Sequence, residues 1–315
     1  MIKIFESKFI KSVTVVASGL YNNISYSLLK TNSDFILVKI NFNNNVVNEE
    51  ILNNVKPAKN DMANIINNKL YIYNNNYVCK KTLLDSYVNS SQSNFLLKGE
   101  KENVKHKNVK NNNNVYVLNL ENGEEEFHQK CGILSIIILN NIVYYITICD
   151  EMNDSKYNII NFETDKVYYK IYLNDDSTYI TRNEIHVPFS KINDILYYDN
   201  ILILTNEVNV EDGKSDKTYT YMKINLTNLD NVWYKTKLII NKNINVLSND
   251  EVLYDNKIVY FYMYDEAKEI NIPYKINSIK SFEYKNKMYY VLSTIDNNND
   301  EPKSHIANNL VILTE

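Results

Sequence analysis

The chain has 315 residues with a formal net charge of −4, and 44% of the residues are hydrophobic, which is enough apolar material for a folded core. Acidic residues outnumber basic ones, 38 to 34, and this excludes a general nucleic-acid binder because such a protein needs a concentrated basic surface. Arg182 is the only arginine, so sites in which several arginines grip carboxylates or phosphates are also excluded. Asn is unusually common, at 54 residues, as expected from an AT-rich genome.

The cysteines indicate a reducing compartment, and the apolar segments indicate neither a signal peptide nor a membrane span. Cys79, Cys131 and Cys149 are widely spaced and form no Cys-x-x-Cys pair, which suits synthesis in a reducing cytoplasm and excludes a zinc knuckle. The first twenty residues carry four charges around short apolar pieces, so we expect no signal peptide. The apolar stretch from Ile133 to Cys149 is interrupted by Asn140-Asn141, which predicts two strands joined by a turn and no membrane insertion.

Helical periodicity is hard to find, and short β-branched and aromatic runs separated by Asn, Asp and Ser predict an all-β chain. One pattern recurs, in which an apolar run is followed by a two-residue polar turn and an alternating run. We call it the first hairpin type. Asn and Asp tolerate the left-handed backbone that such turns require, so few glycines are needed. Its copies are Ile65–Tyr73, Ile136–Tyr145, Ile195–Ile203, Val252–Tyr260 and Phe282–Tyr290.

A second hairpin type follows the first at variable distance. Here a strand ends in Asn and an apolar residue, and a polar turn leads to a return strand. Two alternating hairpin types predict four-stranded antiparallel units. The copies of the second type are Val38–Asn44, Val117–Gly123, Ile159–Asp165 and Lys223–Asn228.

The spacing of these turns gives a count of the units. The gap between Asn68 and Asn141 holds the second-type turn at Asn119 to Gly123, so we infer a further unit whose first hairpin lies around Phe95 to His106. Seven units in 315 residues are about 45 residues each, the period of a four-stranded propeller blade. Turns of the first type are centred near Asn32, Asn68, Asn141, Asn200, Asn256 and Asn286.

With these alternating hairpins the chain resembles divergent bacterial and viral members of the β-propeller superfamily. It lacks the Gly-Gly doublets of kelch repeats, and its single Trp233 is not part of a Trp-Asp pair, so neither named repeat family fits. The resemblance implies one domain over residues 1–315 with seven four-stranded blades, and a strand from Lys8 to Val16 that closes the last blade. Six blades, or two tandem β-sandwiches with a boundary near Asp150 to Ser155, are the alternatives.

The residues that usually carry chemistry are scattered. No histidine has a second His or a carboxylate at ligand spacing, and the two Asp-rich loops lack the glycine and the terminal Glu of a calcium loop, so we expect no metal site. There is no Gly-x-Ser-x-Gly motif and no phosphate-binding glycine loop, so we expect no catalytic residue and no cofactor. The residues considered are His106, His128, His186, His305, the loops Asp150–Asp154 and Asp296–Glu301, and the carboxylates Asp194, Asp255 and Glu283, which a glycoside hydrolase could recruit.

Adjacent tyrosines in the strands are the remaining signal. Because side chains alternate along a strand, one tyrosine of each pair should point into the core and the other outward. Outward tyrosines form an amphipathic surface that protein interfaces favour. The pairs are Tyr144-Tyr145, Tyr168-Tyr169, Tyr197-Tyr198 and Tyr289-Tyr290.

Together these observations predict a non-enzymatic propeller that acts as an interaction platform in a larger assembly. By analogy with propellers in such machines, we expect a component of a phage tail, baseplate or phage-tail-like particle that binds neighbouring subunits or the host surface. The alternatives are a carbohydrate-binding or glycoside-hydrolysing propeller, with a cell-surface glycan as partner, and an intracellular scaffold protein. The sequence identifies no partner-binding residue.

Overall fold

The computed structural model describes the chain with gaps, and every regular element in the described residues is a β-strand. This confirms the all-β prediction. Among these residues there is no helix of the length and apolarity needed to cross a membrane. The described residues are 1–74, 114–130, 132–151, 154–173, 179–180, 184–187, 189, 192, 194–198, 201–208, 217–226, 231–234, 239–240, 245–246, 251–254, 257–260, 268–295 and 307–314.

The strands are numbered in chain order. The first half of the chain contains β1 (Ile2–Lys8), β2 (Thr14–Tyr21), β3 (Ile24–Lys30), β4 (Phe35–Asn41), β5 (Val46–Leu52), β6 (Asp61–Ile66), β7 (Lys69–Asn74), β8 (Val115–Asn119), β9 (Glu125–His128), β10 (Ile133–Leu139), β11 (Ile142–Glu151), β12 (Asp154–Asn161) and β13 (Val167–Tyr172). The second half contains β14 (Tyr179–Ile180), β15 (Glu184–His186), β16 (Asp194–Tyr198), β17 (Ile201–Val208), β18 (Lys217–Asn225), β19 (Asn231–Tyr234), β20 (Ile239–Ile240), β21 (Asn245–Val246), β22 (Glu251–Tyr254), β23 (Lys257–Tyr260), β24 (Lys268–Asn271), β25 (Lys275–Tyr284), β26 (Lys287–Ile295) and β27 (Ala307–Thr314).

These strands form six sheets, which together make a β-propeller. Sheet I has the order β2-β3-β4-β5, and sheet II has β6-β7-β8-β9. Sheet III is β10-β11-β12-β13-β15-β14, sheet IV is β16-β17-β18-β19 with β20 also on β18, and sheet V is β21-β22-β23-β24. Sheet VI is β25-β26-β27-β1. The first strands of successive sheets lie against one another, in the series β25, β2, β6, β10 and β16.

The described residues contain six sheets, whereas the sequence predicts seven units with six as an alternative. The count of seven rested on giving the turn at Asn119 to Gly123 to a separate unit. Instead, β7 pairs directly with β8, and this turn joins β8 to β9 inside sheet II. The wide gap is therefore a long connection between β7 and β8, and the segment from Phe95 to His106 lies outside the described residues.

The two ends of the chain meet in sheet VI. Strand β1 pairs antiparallel with β27, from Ile2 opposite Thr314 to Lys8 opposite Asn309. The segment that pairs in this way is Ile2–Lys8. The stretch from Lys8 to Val16 suggested by the sequence instead spans the connection to sheet I and the start of β2.

The pairing confirms most of the first-type hairpins, and their backbone explains the abundance of Asn. In the chain's described parts, nine non-glycine residues have positive φ; seven are Asn and one is Asp. Both central residues of three turns are left-handed, as two-residue hairpins between twisted strands require. These turns are Asn22-Asn23, Asn140-Asn141 and Lys285-Asn286. The turn expected near Asn32 is therefore at Asn22-Asn23. The turn expected near Asn256 lies outside the described residues, between β22 and β23, the second and third strands of sheet V.

The second hairpin type has a recurrent structure that explains its Asn-apolar signature. The Asn side chain accepts a hydrogen bond from the backbone N–H two residues later, as in Asn41, Asn119 and Asn161. The apolar residue then donates its own N–H to the first hairpin of the same sheet. These contacts are Phe42 to the carbonyl of Asn23, Leu120 to Asn68, and Phe162 to Val143.

Buried clusters lie between neighbouring sheets, and sheets I, II, III and VI bury both faces. Gly19 marks one close approach, because a Cβ atom there would lie 2.8 Å from Cγ2 of Ile65 on the neighbouring sheet. The prediction that one tyrosine of each pair points outward is consequently wrong for Tyr144 and Tyr145. Both are buried, and they pack into different core clusters on the two faces of sheet III. Tyr168 is exposed beside buried Tyr169, as predicted.

Candidate interaction surface

The outer edge of sheet I is an exposed strand. Residues 46–51 of β5 are all exposed, and only the final Leu52 is buried. Three of the exposed side chains are large and apolar: Val46 is 47% exposed, Val47 37% and Ile51 52%. Because β5 is the last strand in the order of its sheet, one of its edges pairs with β4 and the other has no strand beside it among the described residues.

The neighbouring edge of sheet II continues this surface. Residues 125–127 of β9 are exposed, including Phe127, whose ring packs edge-on against Tyr116. The amide of Asn54, just after β5, donates to Oε2 of Glu125 at 2.6 Å and ties the two edges together. We call residues 46–51 and 125–127 the I–II rim.

The I–II rim is acidic as well as apolar. Glu50 forms an ion pair of 2.6 Å with Lys39 of the adjacent strand, whereas Glu49 has no ion pair with any described residue. On β9, a hydrogen bond with His128 holds the pKa of Glu126 below its usual value, and Lys69 acts in the same direction. Burial, with the carboxylates of Glu125 and Glu50 nearby, raises the pKa of the Tyr116 phenol.

A buried lysine connects sheets II and III behind this surface. The Lys130 side chain is only 8% exposed, and its ammonium group donates to Oδ1 of Asp165 at 2.9 Å and to the carbonyl of Phe162 at 2.5 Å. It also lies 4.9 Å from the Phe162 ring centroid, and the Tyr145 hydroxyl donates to the same oxygen of Asp165. No local sequence pattern marks Lys130, because the two acceptors of its ammonium group lie more than thirty residues away in the chain.

The histidines that the structure describes have structural contacts. Nε2 of His128 is 3.0 Å from Glu126, and its ring packs edge-on against Phe162. The His186 ring stacks on Tyr172 at 4.7 Å. No group of three or more potential metal ligands occurs in the part of the chain that the structure describes. His106 and His305 lie outside it.

Two of the positions considered for glycoside hydrolysis, Asp194 and Glu283, lie on described strands. Asp194 begins β16, whereas Glu283 is near the end of β25, so the two lie at opposite ends of corresponding first strands. That arrangement does not suit a pair of carboxylates flanking one glycosidic bond. The other predicted positions lie outside the described residues or have undescribed side chains: Asp255, Arg182, Cys79, Cys131, Cys149, Tyr197-Tyr198 and the loops Asp150–Asp154 and Asp296–Glu301.

Sequence reasoning missed the I–II rim, although one signal was available. Within β5, Glu49 and Glu50 occupy successive positions and so face opposite sides of the sheet. Charges on both faces mark a strand that neither neighbouring sheet covers, which is an outermost strand.

Comparison with known proteins supports the fold. No protein-family model and no curated protein matches the chain. The polysaccharide lyase Uly1 has a TM-score of 0.50 at 7% identity, covering 95% of this chain and 90% of the lyase. YjhT has a TM-score of 0.50 at 8% identity, covering 98% and 95%. The β-propeller domain of the Trilobed protease from Pyrococcus furiosus has a TM-score of 0.42 at 10% identity, covering 90% and 79%. Similarity at these identities shows a shared fold alone, and a shared fold does not decide whether a protein is an enzyme.

Proposed function

We propose that this protein is a non-catalytic β-propeller that serves as an interaction platform in a larger protein assembly. The observation that carries the proposal is the exposed edge strand β5, on which Val46, Val47 and Ile51 are all exposed. Proteins normally shorten, cover or charge such an edge, because its unpaired backbone groups and apolar side chains invite pairing with another chain. An edge that keeps three apolar residues beside two charges is suited to a specific partner.

The finer proposal is that the assembly is a phage tail, baseplate or phage-tail-like particle, in which the propeller binds neighbouring subunits or the host surface. It is supported by analogy with propellers in such machines and by the Asn-, Lys-, Ile- and Tyr-rich composition of a low-GC genome. The protein would be made in the cytoplasm and reside in the particle.

Isolation of the native protein from its source cells tests this function. A chromosomal affinity tag, size-exclusion chromatography and mass spectrometry would identify what elutes with it. We expect the 37.0 kDa chain to elute in a particle together with tail-tube or sheath proteins. A lone monomer with hydrolase activity on a glycan panel would contradict the proposal. A complex with non-viral cellular proteins would contradict the particle assignment and favour an intracellular scaffold.

A further inference from the structure

The outer edge of sheet III carries strands beyond the four that make up sheets I, II, V and VI. Strand β15 pairs in parallel with β13, and β14 then pairs antiparallel with β15. A blade edge of this propeller is therefore geometrically able to extend by strand addition in either direction, and in sheet III the chain itself supplies the added strands.

The added strand on sheet III shows which side chains accompany such pairing. Lys170 of β13 lies directly opposite Glu184 of β15, so the added strand brings the opposite charge. Tyr172 lies opposite His186, and the two rings stack. Oppositely charged and aromatic cross-strand pairs are the ones that stabilise sheets.

The same geometry applied to β5 defines the chemistry of its partner. Its exposed side chains are the apolar Val46, Val47 and Ile51 with the acidic Glu49 and Glu50. A strand lying beside it would have to place basic residues near the two glutamates and apolar residues near the others. A second copy of this chain does not fit, because antiparallel pairing of β5 with itself centred on these glutamates sets like charges opposite each other.

Accepting the interaction role proposed above, we infer that the free edge of β5 binds an extended, lysine-rich strand of a partner protein by adding it to sheet I. Main-chain hydrogen bonds supply the pairing, and two adjacent lysines flanked by apolar residues, one lysine on each face of the sheet, supply the selectivity. The neighbouring Glu125 and Glu126 of β9 extend the acidic surface over which the partner's lysines lie.

A synthetic strand tests this inference on the intact protein. The probe is a labelled peptide, acetyl-Val-Lys-Lys-Thr-Val-Val-amide, which places its two lysines beside the two glutamates in an antiparallel pairing, and its binding is measured by fluorescence anisotropy at physiological salt. We expect saturable binding that slows amide hydrogen exchange within residues 46–51. The same peptide with alternate amides N-methylated should bind at least tenfold more weakly, because N-methylation removes the donors that strand pairing needs.

Matched variants separate this site from general attraction between opposite charges. The Glu49→Lys/Glu50→Lys variant should lose at least tenfold in affinity and should instead bind acetyl-Val-Glu-Glu-Thr-Val-Val-amide. The Glu163→Lys/Glu283→Lys variant changes the net charge equally at exposed positions away from the blade edges and should change the affinity less than twofold. Thermal unfolding checks that both variants fold.

Several results would overturn the inference: no binding, equal weakening in both variants, no effect of N-methylation, or exchange protection elsewhere. Self-association of the free protein that the Glu49→Lys/Glu50→Lys variant changes would assign the edge to a second copy. If these tests fail while the native protein still elutes in a particle, only the strand-addition inference fails. A lone native monomer with hydrolase activity would contradict the platform function whatever the peptide does.

Discussion

At the scale of residues, the described structure depends on a few polar side chains placed where neighbouring sheets meet. Lys130 is the clearest example, because a charge that is 8% exposed would be costly without partners. Asp165, the Phe162 carbonyl and the Phe162 ring surround its ammonium group. Asp165 is itself 30% exposed, so the ion pair is only partly shielded from water.

Replacing Lys130 by Met should therefore destabilise the protein. Met keeps most of the aliphatic volume but removes the ammonium group that donates to Asp165 and to the Phe162 carbonyl, at a cost of about 2 kcal/mol in the free energy of unfolding, although the Tyr145 hydroxyl still donates to Asp165. Urea denaturation followed by tyrosine fluorescence measures the change. Lys166→Met, at an exposed neighbouring position, is the control and should cost less than about 0.5 kcal/mol. Equal effects of the two substitutions would show that Lys130 does not link the sheets.

At the scale of elements, sheets I, II and III are each built from two local turn structures that the sequence encodes directly. Left-handed Asn residues close the first hairpin, and an Asn side chain caps the second. The backbone N–H of the following apolar residue then joins the two turns within one sheet. A blade is consequently specified by short segments, and this is why two weak motifs recur along the chain.

Asn161→Ala tests the second turn. Oδ1 of Asn161 accepts hydrogen bonds from the backbone N–H groups of Glu163 and Thr164, so its removal should lower the free energy of unfolding by about 1–2 kcal/mol. The exposed Asn48 on β5 offers a comparison, since Asn48→Ala should change the stability by less than about 0.5 kcal/mol. Chemical denaturation of both variants gives the values. A loss for Asn161→Ala no larger than that for Asn48→Ala would mean that the cap is dispensable.

The sequence was informative where structure is local and uninformative where it is not. The all-β class and most hairpins followed from Asn-containing turns and alternating strands, whose signals span fewer than ten residues. The blade count did not follow, because one turn at Asn119 to Gly123 fits either a new unit or the far side of a long connection. Lys130 and the exposed edge of β5 depend on which sheets become neighbours and which strand lies outermost. Those properties arise only when the ring assembles.

At the scale of the whole molecule, the chain ends are what complete the propeller. Strand β1 adds to β27, and β2 lies against β25, so the first and last sheets are joined both at the outer edge and at the inner strands. The contact between β2 and β25 is polar as well as apolar: the Ser278 hydroxyl accepts the backbone N–H of Val15 at 2.7 Å. This closure makes the N-terminal strand the outermost strand of sheet VI.

Disulfide trapping of the two chain ends tests this arrangement most directly. In a background without the native cysteines, Lys8→Cys and Asn309→Cys place two thiols at directly opposite positions of β1 and β27. Because β1 pairs with β27, we expect an intramolecular disulfide in the monomer. Mass spectrometry of the cross-linked peptides would identify it, and the midpoint of thermal unfolding should be higher than in the reduced form. The pair Lys8→Cys and Asn122→Cys, with the second thiol on sheet II, should not cross-link. Equal cross-linking of both pairs, or none within the monomer for the first pair, would contradict a ring closed by its own ends.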